Sequence, residues 1–496
     1  VTLPAAGNLG GGGFMLAHLA ETNETIAIDY REKAPLAASR DMFLDENGNP
    51  DPDKSMHSYL SSGVPGTVAG LTTTLEKYGT ISLERALRPA IELAENGFSV
   101  DKYLHNSLIG KKKLMQKSPA SMAVFFKENG IPYEVGEVLV QKDLAWSLKQ
   151  IAENGSDAFY RGEIAKKIAE DMKAHGGLIT LEDLSAYSPV IRAPVNGTYR
   201  GYEIFSMPPP SSGGVHIVQM LNLLEEFPVG SMRHNTAGTI HVMAECMKLA
   251  YADRSVHLGD SDFVPVPVAG LTSKRYADNL RRNINTEKAT PSSEIFPGQP
   301  GNYESNQTTH FSVMDKYGNA VSNTYTLNFG YGSGITAEGT GILLNNEMDD
   351  FSSKPGEPNA YGLIGNEYNA IEPGKRMLSC MTPTIVMKNG KPCLVTGSPG
   401  GSRIITTTLQ VIMNVIDHRM NVAEATNAVR IHHQWLPDEL RVENGLDDLT
   451  IRRLTEMGHS VVQRGSMGCT QSIMRTENTF YGASDPRGSS SLALGY

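Results

Sequence analysis

Thr308 and Thr326 carry hydroxyls that one β-hairpin would bring together. The run Thr308-Thr309-His310-Phe311-Ser312-Val313-Met314-Asp315 reads as a strand, and Asn319 through Leu327 as the next, with Lys316, Tyr317 and Gly318 between them. Three-residue hairpin loops commonly place Gly last, in the left-handed conformation. That register pairs Asp315 with Asn319. Counting outward, it sets Thr308 opposite Thr326, with Cβ atoms about 5 Å apart on one face. The polar, Pro- and Asn-rich stretch 287–307 reads as an exposed connection leading into this hairpin. A cut before Thr308 would give that residue an α-amine with a pKa of about 7.7–8. Such an amine can act as general base for the hydroxyl of the same residue, and Thr326 could orient that hydroxyl. The hairpin alone favours a plainer reading, an ordinary cross-strand Thr–Thr contact.

Other residue types suited to chemistry have equally plain alternatives. Arg31 lies beside Asp29 and Glu32, a setting that suits a surface ion pair. Glu347, Asp349 and Asp350 suit a solvated acidic turn and lack the spacing of a calcium loop. Ser398-Pro399-Gly400-Gly401 suits a tight turn, and the loop from Pro355 to Gly365, with Tyr361, an ordinary surface loop. His432-His433 is tempting as a metal pair, but adjacent side chains point apart.

The elements that must position these residues follow from pattern. Gly7 through Leu16 is a Gly run feeding an apolar strand, and Ile26 through Arg31 alternates as a second strand. From about Ser82 to about Asp260 the texture is mainly helical. Leu83, Leu87, Ile91 and Ala94 recur at helical spacing before Gly97, and Thr180-Leu181-Glu182-Asp183 is a capping sequence. Pro208 through Gly214 predicts a rigid loop entering a helix from about Val215 to Glu226. Strands are predicted over Phe311–Tyr325, Gly341–Leu344 and Thr384–Met387, and helices return from about Thr406 to Ile416 and after Val422. The expectation is an α/β protein, helix-rich before Thr308 and strand-rich after it.

Composition narrows the classes. The chain has 496 residues, 40% of them hydrophobic, enough for a large core. A net charge of −10 gives no footing for nucleic acid, and Lys111-Lys112-Lys113 reads as a solvated face. Cys246, Cys380, Cys393 and Cys469 are scattered without zinc or disulfide spacing, and neither a P-loop nor a GxGxxG run occurs. No apolar run approaches a membrane span. The chain starts at Val1, so removal of an upstream segment, a signal peptide among the options, is expected.

The run Asn306 to Val313 closely resembles the processing site of γ-glutamyltranspeptidases (glutathione hydrolases). The resemblance continues through Gly341–Phe351, Thr396–Arg403, His432–Asp438 and Tyr481–Arg487, covers essentially the whole chain, and looks closest to Gram-negative bacterial members. It implies a four-layer αββα Ntn-hydrolase fold made as a precursor. Self-cleavage between Gln307 and Thr308 would give a large subunit (1–307) and a small one (308–496) that stay together as a heterodimer. The implied reaction moves a γ-glutamyl group from glutathione or a related compound to water, an amino acid or a peptide through an ester on Thr308. No metal, cofactor, nucleic acid or membrane partner is implied, and the implied location is the periplasm.

The resemblance also assigns roles to residues of this sequence. Arg31 matches the arginine that grips the substrate α-carboxylate, for which a guanidinium fork is suited. Asn328, Glu347 and Asp350 match the acceptors of the α-ammonium, and Gly400 and Gly401 the oxyanion hole. Tyr361 matches a lid residue. Ser379 matches a serine at the carboxylate, whereas Cys380 stands where the closest members carry a second Ser, and a thiol is a weak donor. A nucleophilic Cys380 has no acid/base partner apparent in the sequence. Family members carry several dozen further residues ahead of the segment matching Gly7–Leu16. Two alternatives remain: a related acylase acting on glutaryl side chains, as in cephalosporin acylases, and a secreted binding or scaffold protein that keeps its precursor form.

Overall fold

Strand Gly12–Leu19 shows how the layers are built. Phe14 and Leu16 face one way, into a cluster with Met207, Met381, Ile385, Met387 and Val395. Met15 and Ala17 face the other way, with Ile26, Ile28, Tyr30 and Tyr78. This alternation is the period of a strand buried on both faces. The computed structural model describes residues 1–6, 9–300, 310–477, 479–488 and 491–495.

Two antiparallel sheets stack on the Phe14 cluster. The first runs in the order Phe311–Met314, Ala320–Thr326, Gly12–Leu19, Glu24–Tyr30, Val190–Arg192. The second runs Thr479–Ser484, Gln471–Thr476, Lys391–Thr396, Thr384–Lys388, Tyr202–Ser206, Val195–Tyr199. Helix Thr67–Tyr78 packs on the outer face of the first sheet. Helices Gly213–Leu224, Ala237–His257 and Arg403–Ile416 form the layer outside the second, within a core that includes Val218, Leu221, Met247 and Ile412. The order helix, sheet, sheet, helix is the expected αββα. Each sheet draws strands from both sides of position 308.

Most predicted elements form as read. Ser82 caps helix Leu83–Asn96 and Gly97 ends it at φ 83°. Thr180 and Asp183 close a capping box. The predicted hairpin register holds wherever it is described, with Phe311 opposite Asn323, Ser312 opposite Ser322, Val313 opposite Val321 and Met314 opposite Ala320. Asp315 N–H donates to Asn319 O at 3.0 Å, and Gly318 takes φ 101° as the loop requires. Thr308 and the cut site before it lie outside the described residues.

Two readings needed correction. The mainly helical stretch from Ser82 to Asp260 also supplies three strands to the two stacked sheets, Val190–Arg192, Val195–Tyr199 and Tyr202–Ser206, besides short two-residue strands. Val195–Tyr199 and Tyr202–Ser206 form a local hairpin, but the sheet that holds it comes from far away in sequence; Ile204, for example, pairs with Val386. The Gly run does more than feed a strand. A Cβ at Gly11 would lie 2.0 Å from Thr326 O, and one at Gly10 would lie 2.0 Å from Leu343 O. Only glycine lets these backbones close on the end of strand Ala320–Thr326.

Candidate active site

Strand ends and loops from both halves meet around a cavity of ≈ 230 Å³. All ten described residues expected at the site line it. Arg31, Glu347, Asp350, Ser379 and Cys380 form a charged, polar end. Thr326, Gly400 and Gly401 line another part, with Asn328 and Tyr361 completing the wall.

Arg31 leaves the end of strand Glu24–Tyr30 and is fully buried, so it is not a surface ion pair. Its neighbour Asp29 pairs instead with Arg192 and Arg376. The Arg31 fork donates from Nη1 to Glu347 Oε2 at 2.5 Å and from Nη2 to Asp350 Oδ2 at 2.6 Å, and Nε reaches Met377 O at 3.4 Å. Glu32 adds a third carboxylate, 3.5 Å from Nη1. The acidic turn Glu347–Asp350 is therefore buried against an arginine, not solvated.

Burial dominates the protonation of this cluster. It raises the Glu32 carboxyl to about 7 against the pull of Arg31, and the Asp349 carboxyl to about 6 against the hydrogen bond from Ser55. It also holds Glu347 and Asp350 above the usual carboxylate range, with Arg31 opposing. Three buried oxygens, Glu32 Oε1, Glu347 Oε1 and Asp349 Oδ2, have no hydrogen-bond partner. Unpartnered buried acceptors are costly, and a cation placed among them would relieve that cost.

The wall beside this cluster is held by the loop that carries Tyr361. Tyr361 donates to Asn328 Oδ1 at 2.8 Å and stacks on Phe329, with centroids 4.8 Å apart. Gln434 fixes that loop by donating to the carbonyls of Tyr361 and Gly362. Asn328 sits at φ 74° and donates to Asn346 O.

Ser379 is clamped from the loop Pro208–Gly214. Its N–H donates to Pro210 O, and its carbonyl accepts from Ser212 N and Ser212 Oγ. The Cys380 thiol is buried and pushed up by burial, so it is a neutral thiol rather than a nucleophilic thiolate.

Gly400 and Gly401 lie between strand Lys391–Thr396 and helix Arg403–Ile416, at φ 137° and 59°. A Cβ on Gly401 would lie 2.5 Å from the Tyr361 ring. Among the described residues neither glycine N–H donates to a protein acceptor. Two free amides ahead of a 14-residue helix are suited to a developing negative charge. Thr326 Oγ1 accepts from Asn328 N at 2.7 Å, which leaves its own proton available.

The sequence reading missed several neighbours. Arg254 lines the cavity from helix Ala237–His257, and Tyr103 lines it from helix Lys102–Met115. Two residues beyond Thr308, His310 is buried, held neutral by burial with its pKa pushed down to about 3, and bonded to Ser312 and Ser322. His432 and His433 do point apart, to Thr406 and Gln434 and to Asp438. The His and Glu side chains that do gather elsewhere are His241, Glu245 and His459, but Lys248 already places an ammonium 2.7 Å from Glu245.

The family model described as gamma-glutamyltranspeptidase matches residues 1–495. The chain is 56% identical to the glutathione hydrolase proenzyme of Escherichia coli K12, covering 100% of this chain and 86% of that protein. A solved cephalosporin acylase from Bacillus halodurans superposes with a TM-score of 0.86 at 27% identity, covering 100% of this chain and 89% of that one. A Helicobacter pylori gamma-glutamyltranspeptidase structure superposes at 0.59 with 48% identity, covering 60% of this chain and 85% of that one.

Proposed function

Because the chain belongs to the γ-glutamyltranspeptidase family, we propose that it breaks γ-glutamyl bonds, such as that of glutathione, using Thr308 as a nucleophile freed by self-cleavage after Gln307. One observation carries the reading. A single cavity joins an arginine–carboxylate cluster with unpartnered acceptors to the free amides of Gly400 and Gly401. A γ-glutamyl group has matching ends, a zwitterionic α-amino acid head and a carbonyl to be attacked.

Glu347, Asp350 and Asn328 accept from the α-ammonium, while Arg31 and Ser379 donate to the α-carboxylate. This fixes the γ-carbonyl beside Gly400 and Gly401. The Thr308 α-amine takes the hydroxyl proton, and the oxygen attacks the carbonyl carbon. The resulting oxyanion accepts from the two glycine N–H groups, each worth about 3 kcal/mol of barrier. Thr326 orients the hydroxyl. Collapse expels the leaving amine with the proton held by the Thr308 amine. Water, an amino acid or a peptide then takes the acyl group from the ester. The reading includes residues 1–307 and 308–496 remaining associated as two subunits, and a periplasmic location. Among the described residues no helix is long and apolar enough to cross a membrane.

The glutaryl acylase alternative draws on the likeness to cephalosporin acylase. A glutaryl group lacks the ammonium, and would leave the buried Oε1 of Glu347 unpaired in the cavity. Chromogenic γ-glutamyl and glutaryl anilides separate the two, and turnover of the glutaryl compound alone would reverse the choice. The processed protein should show two bands on a denaturing gel, with Thr308 at a new N-terminus. Thr308→Ala should abolish both cleavage and turnover. Residual anilide hydrolysis in that variant would remove Thr308 from the reaction, and an uncut, active wild type would favour another nucleophile.

A further inference from the structure

A zwitterionic head group needs one uncommitted anion and one uncommitted cation. On the acidic side the uncommitted atom is Glu347 Oε1, a buried acceptor without a partner. Arg31 is a poor choice as sole cation, because its fork is already spent on Glu347 and Asp350. The cavity contains a second arginine in a different state. Arg254 is only 5% exposed, and its Nε donates to Ser212 Oγ at 3.0 Å. Among the described residues no carboxylate lies within ion-pair reach of its guanidinium. A buried, unpaired guanidinium facing a cavity is expensive unless an anion arrives.

The surroundings say which anion. Ser212, which fixes the Arg254 Nε, also holds the Ser379 carbonyl through its N–H and its hydroxyl. The Arg254 charge reaches both Cys380 and Asp350, lowering the pKa of each against the effect of burial, and Ser212 Oγ also contacts the Cys380 thiol. Arg254 therefore stands directly behind the Ser379–Cys380 corner, where a poor thiol donor replaces a hydroxyl. We propose that Arg254 is a second substrate-binding cation, sharing the α-carboxylate of the γ-glutamyl donor with Arg31 and Ser379, because the Arg31 fork also has to hold Glu347 and Asp350. The proposal rests on the γ-glutamyl reading and deepens it. Arg254 also lines a neighbouring cavity of ≈ 170 Å³ with Ser55, Asp349, Ser352 and Asn359, so a separate anion there is the competing occupant.

Two anilide donors test it: the γ-glutamyl compound, and the 4-aminobutyryl compound, which keeps the ammonium and chain length but lacks the carboxylate. Rates are normalised to the cleaved small chain seen on a gel. Arg254→Ala should raise KM for the γ-glutamyl donor roughly 100-fold with a smaller change in kcat. It should change kcat/KM for the 4-aminobutyryl donor less than about 3-fold, within the scatter expected of a distant site. Arg254→Lys, which keeps charge without the fork, should restore part of the loss. An unchanged KM in Arg254→Ala, as a separate anion in the neighbouring cavity predicts, overturns the proposal. Equal losses on both donors overturn it too, because they mark a structural prop. If Arg254→Ala is not cleaved, Arg254→Lys decides alone, by a KM rise confined to the γ-glutamyl donor or its absence. A wild type that turns over neither donor would instead sink the γ-glutamyl reading itself.

Discussion

Two buried charged clusters in this molecule differ in how complete they are. Around Glu245 every charge has an answer: Lys248 bonds Glu245 at 2.7 Å and Thr290 O at 2.7 Å, and Thr290 N–H returns to Glu245. His241 bridges His459 at 2.8 Å and Asn285 O at 2.7 Å. Around Arg31 three carboxylates compete for one fork and leave oxygens unpartnered. Both clusters are buried and both are charged, so burial of charge does not distinguish a site from a brace. The distinction is incompleteness. The filled cluster pins segment 285–290 to the helical layer, and the open one waits for a positive group.

The comparison breaks if the filled cluster proves dispensable to the fold. Lys248→Met leaves Glu245 buried and unpaired and should cost about 3–5 kcal/mol of stability. Chemical denaturation reads that loss, while turnover per cleaved enzyme should stay near wild type. A stable Lys248→Met protein with poor turnover would exchange the two roles.

The open cluster should also make stability depend on pH in a particular direction. The folded-state pKa of Glu32 is raised from 4.5 to about 7. The folded chain therefore holds a proton that the unfolded chain has released, and this contribution favours the fold at low pH. It is fully present below the unfolded pKa and is lost as pH rises through about 7. Glu32→Gln should remove it, so the wild type should lose on the order of 3 kcal/mol relative to the variant between pH 4.5 and 8. Parallel stability–pH curves would show that Glu32 does not titrate there.

The smallest of these effects, in free energy, is on binding. Arg31→Ala should raise KM for a γ-glutamyl anilide about 100-fold, near 2.7 kcal/mol. An unchanged KM would take Arg31 out of the site.

Much of this was legible in sequence where the controlling interactions are local. The loop Lys316-Tyr317-Gly318 dictates its register because Gly318 alone settles the turn. The Gly run read only as the lead-in to a strand; the close approach of Gly11 to Thr326 and of Gly10 to Leu343 depends on distant partners and did not show. Strand Tyr202–Ser206 forms a local hairpin with Val195–Tyr199, but its place inside a sheet was hidden because the other neighbour is the distant strand Thr384–Lys388. The burial of Glu347 was hidden for the same reason, since the arginine that makes it tolerable is Arg31. Arg254 gave the least signal. Helix Ala237–His257 is buried on nearly every face, so it shows no polar stripe against which a functional arginine would stand out.

The sheets have one further consequence. Strand Ala320–Thr326 lies between Phe311–Met314 and Gly12–Leu19, and strand Thr384–Lys388 lies between Lys391–Thr396 and Tyr202–Ser206. A break before Thr308 would sever the polymer without offering a seam along which to open it. The fragments are interlaced, and parting them means unzipping a central rung of each sheet at once. Dissociation would then be unfolding under another name. Labelled fragments of two such molecules, mixed at room temperature, should keep their original companions for as long as the fold itself survives.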